Sequence, residues 1–91
     1  FENIVKYEIK RRDIDVNKHL HNLYYLDLAY EALPEDIYNN KRPFNNVKIV
    51  YKKEIKYGEN VKCLYGKKDG KNIIVIKDEN EEKIHACVKL F

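Results

Sequence analysis

Leu20–Leu33 reads LHNLYYLDLAYEAL and is followed at once by Pro34. Its apolar residues recur at helical spacing and cover most of the circumference, and a helix of this kind is usually buried by whatever wraps it. Proline ends a helix because it has no N–H to donate. We therefore predict one helix that begins near His19, ends at Pro34 and lies under a sheet. Its apolar positions are Leu23, Leu26, Tyr30 and Leu33, with Tyr25, Leu28, Ala29 and Ala32 covering much of the rest.

The segments on either side of this helix alternate between apolar and polar residues, as half-buried strands do. Glu35–Asn46 reads as a polar loop, and Asp69-Gly70 is a strong hairpin signal between two of the strands. Short turns between neighbouring strands predict an antiparallel meander. The sequence thus predicts an α+β fold, with five to six strands wrapped around one helix. The predicted strands are Asn3–Arg12, Val47–Lys56, Val61–Lys67, Asn72–Lys77 and Lys83–Phe91.

Length and composition indicate one soluble domain over residues 1–91, because 44% of the residues are hydrophobic but no apolar run approaches the roughly 18 residues of a membrane span. No signal peptide opens the chain, so we expect a cytoplasmic protein without a membrane segment. Cys63 and Cys87 are then expected to be two reduced thiols. Because the sequence begins with Phe1 and contains no Met, we also expect residues upstream of it.

The basic residues are mostly lysine, with 18 Lys and Arg against 15 Asp and Glu and a net charge of +3. Lysine is weak at bidentate recognition of phosphates and bases, so we expect no nucleic-acid partner, whereas an acidic macromolecule suits the charge. The histidines and cysteines have no recognised metal-ligand spacing, so no metal is expected. Two lysine groups are candidates for docking an acidic macromolecule: Lys52, Lys53 and Lys56, and Lys67, Lys68 and Lys71.

The segment Arg12–Tyr25 carries the densest polar cluster, with carboxylates, histidines and asparagines close before or within the start of the predicted helix. Such residues often only cap a helix and turn the chain. The free N–H groups at a helix start can also hold a carboxylate or polarise a thioester carbonyl. Composition alone leaves both interpretations open.

The order of residues in this cluster resembles a family signature. The pattern D-x-D-x-N-x-H-x-x-N-x-x-Y over Asp13–Tyr25 is similar to the segment before the central helix of hotdog thioesterases, most closely the C-terminal hotdog of acyl-ACP thioesterases. YKKE at Tyr51–Glu54, followed by YGE at Tyr57–Glu59, resembles the Glu-bearing strand of that family. The resemblance implies a hotdog fold and, since these enzymes are double hotdogs, the C-terminal half of a longer chain.

Carried over residue by residue, the resemblance implies that Asp15, Asn17, His19 and Glu54 are catalytic, with no cofactor. Two positions depart from the family: His21 precedes Asn22 where two asparagines are usual, and Ile55 stands where a cysteine often follows the glutamate. Isoleucine cannot act as a nucleophile. The implied mechanism is hydrolysis through a general base, Asp15 or Glu54, or direct attack by Asp15 to form an anhydride.

The implied activity is hydrolysis of fatty acyl-ACP, with acyl carrier protein bearing an acyl-phosphopantetheine as the partner. A sheet edge is expected to be covered by a copy of the chain in a homodimer or by an upstream hotdog domain. Two other functions remain open. One is a stand-alone hotdog acyl-CoA thioesterase, although Lys18 stands where such enzymes usually have glycine. The other is a hotdog that binds acyl groups or supports assembly without catalysis.

Overall fold

The computed structural model describes residues 3–14, 20, 22–40 and 44–91, without the side chains of Asn3, Asn22 and Leu23. Within these residues the chain forms five strands and two helices, and a short 3₁₀ turn at Arg11–Asp13 follows the first strand. The strands are β1 (Asn3–Glu8), β2 (Val47–Tyr51), β3 (Asn60–Lys68), β4 (Lys71–Asp78) and β5 (Ile84–Leu90). The helices are α1 (Asn22–Glu31) and α2 (Glu35–Asn40).

The five strands form one antiparallel sheet in the order β1-β3-β4-β5-β2. Val5 lies opposite Cys63, Cys63 opposite Ile76, and Ile76 opposite Ala86. Since side chains alternate between faces, these residues share one face, and that face packs on α1. A sheet around one buried helix is the hotdog fold, as predicted. The α1 side of the core consists of Tyr25, Leu28 and Ala29, with Ala32 and Leu33 just beyond the helix.

Helix α1 ends at Glu31, two residues before the predicted Leu33, because a turn and a bend precede Pro34, and Leu20 forms a bridge with Ile14 instead of belonging to the helix. The prediction that it lies largely under the sheet is confirmed for the face that packs on the core. Leu26 and Tyr30 are half-buried and pack against that core, whereas Leu23 lies outside the described side chains.

The predicted meander is wrong for one of its four strands. β3, β4 and β5 do pair in sequence, but β2 pairs with β5 at the far edge rather than with β3. The predicted strand Val47–Lys56 ends at Tyr51, because the N–H groups of Lys52 and Lys53 both turn to the carbonyl of His85. Residues 52–59 then connect the two strands, ending in a turn in which Gly58 has a φ of +89° that favours glycine.

The predicted polar loop Glu35–Asn46 contains the second helix, α2, which is a correction to the sequence interpretation. Pro34 fixes a backbone angle suited to a helix start, and its carbonyl accepts from the N–H of Tyr38 at 2.9 Å. Glu35 and Asp36 lie in the first turn, where the helix dipole favours negative charge. Neither helix in the described part of the chain is long and apolar enough to cross a lipid bilayer.

Candidate active site

Glu54 lies just beyond β2, where the chain leaves the sheet. Its side chain is 49% exposed, and the carboxylate is 3.8 Å from the ammonium of Lys56. At this exposure the ion pair adds little to stability. Water and a substrate can reach this carboxylate, which is the first requirement for a general base.

Ile55, the next residue, is fully buried and connects the Glu54 segment to the start of α1. Its carbonyl accepts a 2.8 Å hydrogen bond from the N–H of Leu20, and its backbone also hydrogen-bonds with the phenol of Tyr25 in α1. Leu20 in turn forms an isolated antiparallel bridge with Ile14. The position where the family often has cysteine is therefore filled by a packing residue whose backbone is bonded to both Leu20 and Tyr25.

The segment that carries three of the predicted catalytic residues is bounded by these contacts. Ile14 and Leu20 are bridged to each other, and Leu20 is bonded to the residue that follows Glu54. Ile14 and Leu20, the described residues on either side of this segment, are thereby connected to the residue that follows Glu54. The predicted site residues that lie outside the described part of the chain are Asp15, Asn17 and His19, together with His21.

Asp13, the first residue of the signature, is a buried cap of the 3₁₀ turn. One of its carboxylate oxygens accepts from the hydroxyl of Tyr7 at 2.8 Å and from the backbone N–H of Lys10 at 2.9 Å. Burial, followed by the hydrogen bond to Asp13, raises the pKa of Tyr7. Asp13 therefore has a structural role, which is to hold the turn that leads into the signature.

Tyr25 is the last residue of the signature and lies in the core beside Ile55. Burial raises the pKa of Tyr25, the hydrogen bond with the Ile55 backbone opposes part of that shift, and the negative charges of Glu54 and Glu59 add to it. The phenol consequently remains protonated near neutral pH. The ring of Tyr51, at the end of β2, meets it edge to face at 5.0 Å between centroids.

One of the two predicted lysine groups lies beside Glu54. Lys52, Lys53 and Lys56 are exposed around it, and Lys83 approaches from the start of β5. Lys83 lowers the pKa of Lys53, because a neutral Lys53 amine can accept a hydrogen bond from the Lys83 ammonium and because two charged ammonium groups repel. This edge of the site is positively charged. The other group surrounds the β3–β4 turn, where the Lys71 ammonium lies 4.7 Å from the centre of the Phe91 ring.

His85 is not among the predicted site residues, yet it contacts both ends of the loop that carries Glu54. It is only 2% exposed, its Nδ1 is 3.1 Å from the carbonyl oxygen of Lys53, and its Nε2 is 3.6 Å from a carboxylate oxygen of Glu59. No sequence signal marks these contacts, because they join residues 32 and 26 positions apart. The contacts depend on the strand order, in which β4 and β5 lie between β3 and β2.

The two cysteines lie away from this site. Cys63 faces the core, and burial raises the pKa of its thiol to about 12. Cys87 is half-buried on the opposite face of the sheet, and both thiols are free. The described residues contain no group of three or more side chains suited to holding a metal ion.

A cavity of about 630 Å³ opens between β1 and the two helices. Its volume is within the range of small-molecule sites. Asp13 and Leu20 both line it, so it adjoins the signature segment. Its lining combines apolar, tyrosine and charged residues: Val5, Tyr7, Arg12, Asp13, Leu20, Tyr24, Asp27, Leu28, Tyr30, Glu31 and Tyr38.

Comparison with known proteins identifies both a family and a fold. The family model of the acyl-ACP thioesterase C-terminal domain matches residues 2–89. No curated protein sequence matches the chain. Among solved structures, an acyl-ACP thioesterase from Bacteroides thetaiotaomicron has a TM-score of 0.84 at 16% identity, and the match covers 99% of this chain and 37% of that one.

Two further structures show the same fold. The 12:0-ACP thioesterase of Umbellularia californica has a TM-score of 0.78 at 17% identity, covering 98% of this chain and 34% of that one. The Escherichia coli "Probable Thioesterase" YbaW has a TM-score of 0.81 at 17% identity, covering 98% and 79%. The chain therefore spans about a third of the length of the two acyl-ACP thioesterases and most of the length of YbaW.

Proposed function

This chain belongs to the acyl-ACP thioesterase C-terminal domain family, and we propose that it hydrolyses the thioester of a fatty acyl group on acyl carrier protein to release the free fatty acid. The observation that best supports this is the backbone contact of Ile55. Its bond to Leu20 links the residue after the exposed Glu54 to the signature segment. The two parts of the family pattern, 26 or more residues apart in sequence, thereby meet at one place in the fold.

The proposed reaction uses water activated by a carboxylate. Asp15 or Glu54 removes a proton from the water as it attacks the thioester carbonyl, and His19 orients that water or carries the proton to the leaving thiolate. Asn17 and free backbone N–H groups near the helix start hold the carbonyl oxygen as negative charge develops on it. A variant of this proposal has Asp15 attack directly, giving an anhydride that water then opens.

A cysteine nucleophile has no place in this proposal. The family's cysteine position holds Ile55, and the thiolate form of Cys63 is suppressed by burial that raises its pKa to about 12. The catalytic groups are therefore taken to be carboxylates and imidazole, consistent with the residues that the signature supplies.

The positive charge of the lysines around Glu54 favours a substrate carrier that bears phosphate or acidic residues. Lys53 and Lys83 stand close enough to lower the pKa of Lys53, so an anionic partner at this edge would relieve their repulsion. Carrier protein and coenzyme A both present a phosphopantetheine, but only the protein adds an acidic surface. We propose that these lysines receive the carrier and that the acyl chain enters the cavity that Asp13 and Leu20 line.

A second hotdog is proposed to complete the enzyme. β2 is an edge strand, and its Val47, Val50 and Tyr51 side chains are 42%, 49% and 50% exposed. An exposed apolar edge strand is a ready site for pairing with another strand. The partner in this proposal is a copy of the chain or a hotdog domain upstream in a longer protein.

Hydrolysis of acyl-CoA by a hotdog that works alone is the second candidate, and the probable thioesterase YbaW, of which the match covers 79%, has the same fold. Steady-state hydrolysis of acyl-ACP and acyl-CoA with the same acyl chain separates the two. The proposal predicts a higher kcat/KM for acyl-ACP that falls as salt is added, since salt screens exposed charges. A higher kcat/KM for acyl-CoA would favour the second candidate. Acyl binding without turnover of either substrate would favour a non-catalytic hotdog.

Glu54→Gln tests the site within the same assay. The variant removes the charge but keeps the size of the side chain, so the fold should be unaffected. If Glu54 is the base, turnover falls by roughly 10²–10⁴. Glu35→Gln in the exposed first turn of α2 is the matched control and should retain wild-type turnover. Wild-type turnover in Glu54→Gln would leave Asp15 as the remaining candidate base.

A further inference from the structure

The protonation of the His85 ring follows from its contact with Lys53. A carbonyl oxygen can only accept, so Nδ1, 3.1 Å away, carries a proton. In a neutral imidazole Nε2 is then a bare acceptor. It is buried, has no hydrogen-bond partner among the described residues, and faces a carboxylate oxygen of Glu59 that also only accepts.

Two facing acceptors with no proton between them are unfavourable, and buried polar atoms are nearly always hydrogen-bonded. A proton on Nε2 changes this arrangement into an attraction between an imidazolium and a carboxylate. The 3.6 Å separation is slightly beyond hydrogen-bonding range, so a movement of less than ~1 Å by the side chain of Glu59 would form the bond. Glu59 is free to make that movement because its side chain is 37% exposed.

We propose that His85 is a positioning residue that holds a proton against Glu59 and thereby ties together the two ends of the loop Lys53–Glu59. This inference rests on the proposed thioesterase function, since the loop carries Glu54. Three groups of His85 act on the loop. Its carbonyl accepts from the N–H groups of Lys52 and Lys53, Nδ1 donates to the carbonyl of Lys53, and a protonated Nε2, 3.6 Å from the Glu59 carboxylate, attracts that carboxylate.

The position of this loop matters because the loop contains Glu54 and Ile55. Glu54 follows Lys53 directly. The carbonyl of Ile55 accepts a hydrogen bond from the N–H of Leu20, which lies within the signature segment. Displacing the loop would shift the exposed carboxylate and Leu20 together. Misplacing a reacting group by 1 Å can lower turnover by ~10²-fold without weakening binding of the substrate.

The other charged groups near this pair favour a charged Glu59. Lys53 and Lys56 lie in the same loop, and Lys83 at the start of β5 approaches Lys53. From α1, Tyr25 is neutral and is faced by both Glu59 and Glu54. Glu59 therefore stands between a cluster of ammonium groups and the buried imidazole. A carboxylate in that position can accept a hydrogen bond from Nε2.

Nitrogen NMR of the imidazole tests the proton directly and needs no activity. In the wild-type protein at neutral pH, both ring nitrogens of His85 should carry a proton. In Glu59→Ala, which removes an exposed carboxylate and should leave the fold unaffected, Nε2 should lose its proton. Hydrogen exchange at the amide of Leu20 should become ~10-fold faster in that variant, because the bond to Ile55 is released more often. A bare Nε2 in the wild-type protein would overturn the proposal.

Kinetics distinguish positioning from a merely structural role. His85→Asn keeps a donor near the position of Nδ1 but has nothing that reaches Glu59, so kcat should fall by ~10- to 100-fold with KM nearly unchanged. Glu59→Ala should reproduce that loss even if His85→Asn does not fold. Glu59→Gln should retain kcat within about 3-fold, because its amide can donate to a neutral Nε2.

Three results separate this inference from the proposed function. If the wild-type protein hydrolyses no thioester, the proposed function fails, while the NMR and exchange measurements still decide whether the link exists. If Glu59→Ala hydrolyses acyl-ACP like the wild type, the link exists at most as structure and the positioning role is wrong. If Glu59→Gln is as impaired as Glu59→Ala, the carboxylate has a role other than holding this proton.

Discussion

Replacing Cys63 with alanine is expected to weaken the fold slightly and leave hydrolysis intact. The side chain is 1% exposed on the inner face of β3, opposite Val5 and Ile76 on the neighbouring strands. Losing the sulfur leaves a gap of about 20 Å³, and the gap together with the lost burial costs about 1–2 kcal/mol of the free energy of unfolding. Urea unfolding of the variant measures that loss.

The same thiol cannot act as a nucleophile. With a pKa of about 12, roughly one Cys63 in ten thousand is a thiolate at pH 8, and the thiolate is the reactive form. A Cys87→Ala variant leaves Cys63 as the one thiol, which should react with a disulfide reagent only after unfolding in urea. A folded Cys63→Ala protein without turnover, or rapid labelling of Cys63 in the folded protein, would refute this reasoning.

Three other predictions concern stability and assembly. Asp13→Ala should lower the free energy of unfolding by about 2–4 kcal/mol, because it releases Tyr7 and the N–H of Lys10, whereas Asp13→Asn should cost less in the same urea titration. The free energy of unfolding should decline by roughly 4 kcal/mol at most as pH rises from 9 to about 12, because the unfolded chain loses the Cys63 thiol proton at a lower pH than the folded protein. The decline should be smaller in Cys63→Ala, which lacks this thiol. Light scattering at micromolar concentration should give a mass well above the 11.0 kDa of one chain, and a mass of 11.0 kDa would count against pairing at the β2 edge.

The fold was predictable because its main features depend on residues close in sequence. The apolar surface of Leu20–Leu33 predicts a buried helix, and Asp69-Gly70 predicts the β3–β4 hairpin, where both residues adopt positive φ. The position of β2 was not predictable in this way. Whether it pairs with β3 or β5 depends on contacts such as that of Lys52 with His85, which lie far apart in sequence. Helix α2 was missed because its six residues are mostly polar.

The candidate site, too, was predictable from the sequence only in part. Glu54 and the signature at Asp13–Tyr25 were found by their resemblance to a family, and the resemblance also predicted that they meet. The role of Asp13 as a buried cap appears only in three dimensions, because it depends on the hydroxyl of Tyr7 across the turn. His85 was not found for a similar reason, since its neighbours Lys53 and Glu59 belong to another part of the chain.

Asp15→Asn in the intact enzyme tests the central claim most directly, with steady-state kinetics on one good acyl-ACP substrate. Removing the carboxylate while keeping the size of the side chain should lower turnover by roughly 10²–10⁴ and change stability little. Cys87→Ala is the control, and its turnover should remain within a few-fold of wild type, because this thiol lies on the opposite face of the sheet from Cys63 and the core. Full activity in a folded Asp15→Asn protein would contradict the assignment of the signature as the catalytic segment.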